Sequence, residues 1–201
     1  MTRKAIAHLS AADPVMAGLI AQLGRPRRRH RPAPNFEAMA RAIVFQQLHG
    51  KAAAAIYARL LAAAGGALTP AALLTLDDGQ LRAAGLSRQK MAYLRDLAAR
   101  TQAGELQFDR LPRLDDRQVI EHLTRVKGIG VWSAQMFLIF ALRRPDVMPT
   151  ADLAINLAIK KHYRKRRLPQ PRQVLALAER WRPYRSLACL YLWDSLDIRL
   201  P

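Results

Sequence analysis

One cysteine, Cys189, occurs in the 201 residues. A disulfide framework within the chain is therefore impossible, and a cysteine-ligated iron–sulfur cluster, which needs several thiolates, is excluded. Cys189 lies in the apolar run Ser186-Leu-Ala-Cys-Leu-Tyr-Leu-Trp193, a setting for a buried thiol rather than a nucleophile. Acids are also scarce, 15 Asp+Glu against 33 Lys+Arg, so the formal charge is +18. That imbalance favours a polyanionic partner bound with salt-sensitive affinity. A basic protein with no nucleic-acid role would share it. Nowhere is there a run of the roughly 18 apolar residues that a membrane-spanning helix needs. The first residues hold no long apolar core of a secretion signal, so a cytoplasmic protein is expected, nucleoid-associated if bacterial. No His/Cys/Asp cluster has metal-ligand spacing, and no catalytic metal is implied. Clean period-two alternation is missing and β-branched runs are short, which argues against a sheet.

What is present reads as helix almost throughout, with abundant Ala and Leu. Asn35 is placed to cap a helix through Phe36, Met39, Ile43 and Val44. Thr69-Pro70 is a cap followed by a first-turn proline. Ser87 precedes a helix on which Met91, Leu94, Leu97 and Ala98 share a face. Asp115 starts another, and later helices are expected over 131–142, 151–162, 172–180 and 184–196. The fold class is all-α, in one domain or two small subdomains. Two basic stretches stand out. Arg25, Arg27, Arg28, Arg29 and Arg31 share a proline-bearing linker; Lys160, Lys161, Arg164, Lys165, Arg166 and Arg167 follow the 151–162 helix. Either set suits phosphates or plain solvation.

The chemistry concentrates between Leu123 and Leu138. Gly128 and Gly130 flank Ile129 in a tight connection between two helices. Glycine tolerates positive φ and close approach of another backbone. The helix that follows opens with unpaired N–H groups, a seat for a phosphate oxygen. Downstream, Pro145-Asp-Val-Met-Pro-Thr-Ala-Asp-Leu-Ala-Ile155 forms a proline-rich turn. Thr150 is expected to be the N-cap and Asp152 to lie in the first helical turn, where the helix dipole is favourable to negative charge. An ionised acid there can stabilise positive charge developing on a sugar. Taken alone, a first-turn acid is a common helix feature.

The stretch Val-Lys-Gly-Ile-Gly-Val-Trp-Ser-Ala-Gln-Met-Phe-Leu-Ile-Phe at 126–140 and Pro-Asp-Val-Met-Pro-Thr-Ala-Asp-Leu at 145–153 closely resemble the helix–hairpin–helix DNA glycosylase superfamily. Within it, the resemblance is to the DNA-3-methyladenine glycosylase II (alkylation repair) branch. Ala42-Ile-Val-Phe-Gln-Gln-Leu-His-Gly-Lys-Ala52, Gly85-Leu-Ser-Arg-Gln-Lys-Met91 and Trp181-Arg-Pro-Tyr-Arg-Ser-Leu187 through Trp193 agree with it, so the likeness spans residues 35–197.

The resemblance implies two helical subdomains with a cleft between them. Residues 1–34 would be a helix and basic linker packing with the C-terminal helices, 35–125 the subdomain bearing the minor-groove loop, and 126–201 the hairpin, the acid and the last helices. It implies a monomer that acts on duplex DNA with damaged bases, flips the nucleotide and hydrolyses the N-glycosidic bond, with no membrane partner.

Site residues follow from the same likeness. Asp152 would be the catalytic carboxylate; the family often has two adjacent acids here, and Ala151 replaces the first. Trp132 stands where glycosylase/lyases carry a Schiff-base lysine, so the resemblance implies a monofunctional enzyme using water. Trp132 and Trp193 would stack on the base, an indole suiting a cationic purine. Phe137 and Tyr191 are further pocket candidates whose helical spacing equally fits a core. Gln46, Gln47, Leu48 and His49 would form the minor-groove wedge. Lys127, Gly128, Gly130, Lys51 and Arg88 would meet phosphates. The hairpin backbone near Gly128 and Gly130 can hold a structural Na+ or K+; no other cofactor is implied. A non-catalytic lesion-binding module, and a glycosylase for oxidised or deaminated bases, are the competing readings.

Overall fold

The computed structural model describes residues 3–27, 32–48 and 50–196. His49, Arg28, Arg29 and Arg31 of the sequence expectations lie outside them. The described residues form α-helices and two short 3-10 turns, with no strand among them.

Two compact units divide the chain. The middle unit runs from 32 to 142. It contains α3 (Phe36–Phe45), α4 (Gly50–Ala63), α5 (Pro70–Thr75), α6 (Asp78–Ala83), α7 (Arg88–Gln102), α8 (Asp116–Thr124) and α9 (Val131–Phe140). Local chemistry starts these helices: Asn35, Thr69, Ser87 and Asp115 each accept the backbone N–H three residues on. Gln80 and Gln118 return the bond to complete capping boxes with Asp77 and Asp115. The apolar stripe of α7, Met91, Leu94, Leu97 and Ala98, is buried and packs against α3 and α5. Phe36, Phe108 and Phe137 meet edge to face in series, with centroids 6.5 and 6.0 Å apart.

The terminal unit joins residues up to 27 with those from 143 onward. It holds α1 (Arg3–Ala12), α2 (Pro14–Leu23), α10 (Leu153–His162), α11 (Pro171–Ala178) and α12 (Arg185–Asp194). Asp13 ties the two ends of the chain. Its buried carboxylate caps α2 through Val15 N–H and accepts from Tyr163 Oη at 2.7 Å and Trp181 Nε1 at 2.9 Å. A buried charge is tolerable only with such partners. Asp194 accepts from Arg27 N–H at 2.9 Å, and Tyr191 Oη donates to Gly24 O at 3.0 Å.

The boundary between units falls after Leu142, whereas the sequence reading drew it after 125. The hairpin belongs with the middle unit because its backbone is bonded there: Lys127 N–H donates to Asp96 Oδ2 at 2.8 Å and Gly128 O accepts from Gln46 Nε2 at 3.0 Å.

Candidate active site

In the terminal unit, residues 143–152 have no regular structure and end at Asp152. A turn in which Asp152 N–H donates to Pro149 O at 3.0 Å delays the helix, which begins at Leu153. Asp152 is therefore itself the N-cap of α10, and Thr150 is not. Thr150 contributes its carbonyl instead, which accepts from Asn156 Nδ2 at 3.0 Å.

The Asp152 carboxylate is buried. Ile155 N–H at 2.8 Å and Trp193 Nε1 at 3.1 Å both donate to its Oδ1. Two fixed donors on one oxygen hold the carboxyl plane, one from the helix backbone and one from α12, 41 residues away in sequence. Trp193 is 0 % exposed. It offers no open face for a base to stack on and orients the acid instead.

Burial, and after it the nearby Asp152 charge, push the Cys189 thiol well above its usual range. Cys189 is thus an inert core thiol beside the acid.

In the middle unit, the hairpin leaves α8 after Thr124 and enters α9 at Val131. Val126 N–H donates to Leu123 O and Ile129 N–H to Val126 O, at 3.2 and 3.1 Å. Ile129 is buried and anchors the turn. The two glycines differ in kind. Gly128 has φ +79, and a Cβ there would collide with the Tyr93 ring of α7. Gly130 has φ −90 as the N-cap of α9, and a Cβ there would meet nothing within 4 Å. Protein geometry demands glycine at 128 and leaves open space at 130.

The loop before α4 is tied to this hairpin. Gln46 does not project with its neighbours, since its amide holds Gly128 O. Gln47 is exposed in the left-handed region at φ +55, and Leu48 is exposed. That conformation costs a non-glycine residue about 1–2 kcal/mol.

The other expected residues separate into surface and core. Lys51, Arg88 and Lys127 are exposed. Trp132, in the first turn of α9, is 41 % exposed, whereas Phe137 lies in the aromatic series of the middle unit. Tyr191 is fully buried and bonded to Gly24 O. Neither Phe137 nor Tyr191 presents a pocket surface in its unit.

Sequence reasoning missed the polar stripe of α7. Lys90 Nζ donates to Val44 O at 2.6 Å at the end of α3, Tyr93 covers Gly128, and Asp96 holds Lys127 N–H. Burial lowers the Lys90 pKa. The spacing of three between 90, 93 and 96, running off one edge of the apolar stripe, is the available signal.

Residues 40–183 match the HhH-GPD superfamily of base excision DNA repair proteins. DNA-3-methyladenine glycosylase 1 of Schizosaccharomyces pombe is 37 % identical over 197 residues, covering 96 % of this chain and 86 % of that protein. A solved structure of 3-methyladenine DNA glycosylase (Mag1) of that yeast, in complex with abasic DNA, superposes with a TM-score of 0.85. It is 36 % identical and covers 97 % of each chain. DNA-3-methyladenine glycosidase of Bacillus halodurans also gives 0.85, at 36 % identity, covering 95 % of this chain and 88 % of that one.

Proposed function

The chain belongs to the HhH-GPD superfamily of base excision DNA repair proteins, and from that premise we propose that it is a DNA glycosylase excising alkylated purines from duplex DNA, of the 3-methyladenine and 7-methylguanine type. The observation that carries the chemistry is the buried Asp152 carboxylate held on Oδ1 by Ile155 N–H and Trp193 Nε1.

Alkylation at a purine ring nitrogen makes the base cationic. When the N-glycosidic bond breaks, its electron pair leaves with the base, which becomes neutral, and no acid need protonate it. Positive charge then develops on the sugar as an oxocarbenium ion. A carboxylate already oriented toward the sugar stabilises that charge without reorganising during the reaction. Water adds to the anomeric carbon and releases a proton. One acid suffices, which fits Ala151 before Asp152. Tryptophan at 132 supplies no amine for a Schiff base, so no lyase step is expected. Its exposed indole suits stacking on a cationic purine.

The hairpin holds the strand through Gly130 and the first N–H groups of α9, with Lys127 beside them; Lys51 and Arg88 add charge. Gln47 and Leu48 fill the gap left by the flipped nucleotide, and Gln46 couples that loop to the hairpin. Flipping costs about a few kcal/mol, least at damaged bases. For a cation the hairpin offers backbone oxygens, neutral donors that suit Na+ or K+. Val126 O and Gly128 O already accept one hydrogen bond each, which leaves each a second lone pair. An ion on this turn would add positive charge beside the phosphate. A substrate in chromosomal DNA supports a cytoplasmic location, at the nucleoid in a bacterium.

The test is base release from single-lesion duplexes. Release of methylated purines that Asp152→Asn abolishes, with DNA binding largely kept, is expected. Tight lesion binding without release would favour a pure recognition module. Borohydride trapping of a covalent adduct would revive lyase chemistry.

A further inference from the structure

The motif Trp181-Arg-Pro-Tyr-Arg-Ser-Leu187 runs from the second 3-10 turn into the start of α12. In the terminal unit it lies against the segment that ends at Asp152, and the contacts run in register. Ser186 Oγ donates to Arg144 O at 2.7 Å and accepts from Val147 N–H at 2.9 Å. Ser186 N–H donates to Pro145 O at 3.0 Å. Arg185 closes a fork on Asp146, Nε to Oδ1 at 2.7 Å and Nη2 to Oδ2 at 3.1 Å, and Nη2 also reaches Asp146 O at 2.8 Å. Arg182 Nε lies 3.2 Å from Asp146 Oδ2. One turn further on, Cys189 Sγ is 3.8 Å from Val147 O and 3.7 Å from Met148 Sδ. A turn beyond that, Trp193 meets Asp152.

Positions 185/186, 189 and 193 recur at helical spacing and share one face of α12. They meet residues 144–152 in chain order over about 12 Å of helix. The segment has no helix or strand of its own, and Arg144 O, Pro145 O, Asp146 O and Val147 N–H at its upstream end find their partners on this face. Ser186 is buried with both its donor and acceptor capacity used. The Asp146 side chain is only 19 % exposed.

We propose that Asp146, Arg185 and Ser186 form a positioning clamp for the Asp152 carboxylate. They pin the upstream end of the segment to the same rigid helix whose Trp193 holds its downstream end. The clamp makes α12 the ruler that sets where the carboxylate stands. Its members are positioning residues that act through Asp152. This rests on the glycosylase reading of Asp152. The consequence is specific: loosening the clamp misplaces the acid during the chemical step and leaves DNA binding alone. Displacement of a reacting group by about 1 Å costs up to roughly 100-fold in rate.

The experiment uses the full chain with Ser186→Ala and Asp146→Asn. Single-turnover release of 7-methylguanine from duplex DNA is measured at saturating enzyme, and Kd is read by anisotropy on a duplex carrying an abasic analogue. Circular dichroism at the assay temperature establishes that each variant is folded. A rate constant lower by about tenfold or more with Kd within about twofold of wild type is expected. A wild-type rate constant overturns the clamp. So does a change confined to Kd, or a parallel loss of both, which would report general disruption. If Ser186→Ala fails to fold, Arg185→Lys is read in the same way, since it keeps the charge and loses the fork. No release by the wild-type protein overturns the glycosylase reading instead, so the two failures are distinct.

Discussion

Gly128 and Gly130, with one residue between them, should fail in opposite ways when changed to alanine. At Gly128, φ is +79 and a Cβ would collide with the Tyr93 ring. The left-handed conformation costs alanine about 1–2 kcal/mol. Forcing the ring aside adds about 1–3 kcal/mol. The sum, about 2–5 kcal/mol, lowers the Tm of a chain of this size by about 5–15 °C. At Gly130, φ is −90 and a Cβ meets nothing within 4 Å. Reduced freedom of the unfolded chain stabilises alanine by about 0.4–1 kcal/mol, and loss of a good N-cap residue offsets that, so Tm moves by no more than about 2 °C. DNA affinity behaves the other way. A methyl group at 130 stands where the strand should approach. Losing one charge-assisted bond of about 1.5–3 kcal/mol weakens binding by roughly 10- to 100-fold at every salt concentration, with the salt slope little changed because no Lys or Arg is lost. Thermal denaturation and anisotropy titrations across salt concentrations read both. Adding Tyr93→Ala to Gly128→Ala should recover the steric part and leave the backbone part, with a coupling of about 1–3 kcal/mol. Gly128→Ala within 2 °C of wild type would refute the steric argument. Unchanged affinity for Gly130→Ala would refute the phosphate seat.

Other outcomes are equally open to measurement. Trp193→Phe keeps an aromatic ring and removes the donor 3.1 Å from Asp152 Oδ1. Losing a bond to a charged group, about 1.5–3 kcal/mol, should slow base release by roughly 10- to 100-fold; excision at the wild-type rate would deny the indole its orienting role. The Cys189 pKa is raised above its unfolded value by burial and then by Asp152. Its contribution to stability is therefore complete below about pH 8.5 and declines as pH rises further. The thiol should react with a disulfide reagent at pH 8 only after unfolding, and fast labelling of the native protein would contradict this. Arg164 follows α10 in the left-handed region at φ +50, where Lys165 N–H donates to Lys160 O at 3.0 Å. Glycine suits that position, so Arg164→Gly should raise Tm by about 2–4 °C in a calorimetric scan.

The helix starts were legible because capping is local. Asn35, Thr69, Ser87 and Asp115 each bind an N–H three residues ahead, a distance that sequence displays directly. The same holds for the apolar stripe of α7 and for the glycine hairpin. The sequence places an acid at the start of α10 but puts the cap at Thr150, where the structure has Asp152. The turn closed by Pro149 O shifts the start of α10, and Thr and Asp are both favoured N-caps, so local propensity separates the two starts only slightly. The family resemblance implies a stacking surface at Trp193; its burial is invisible in the sequence. The polar stripe of α7 was also missed, since what it holds lies far along the chain.

Sequence alone therefore determined what depends on neighbours three or four residues apart and on composition: a helical chain, a basic charge, a glycine turn and an acid at a helix start. Tertiary structure decided which groups those elements meet. Trp193 and Asp152 are 41 residues apart, Gln46 and Gly128 are 82, and Trp181 and Asp13 are 168. Helical periodicity specifies a face, but only packing specifies its partner, so the orientation of the acid belongs to the fold.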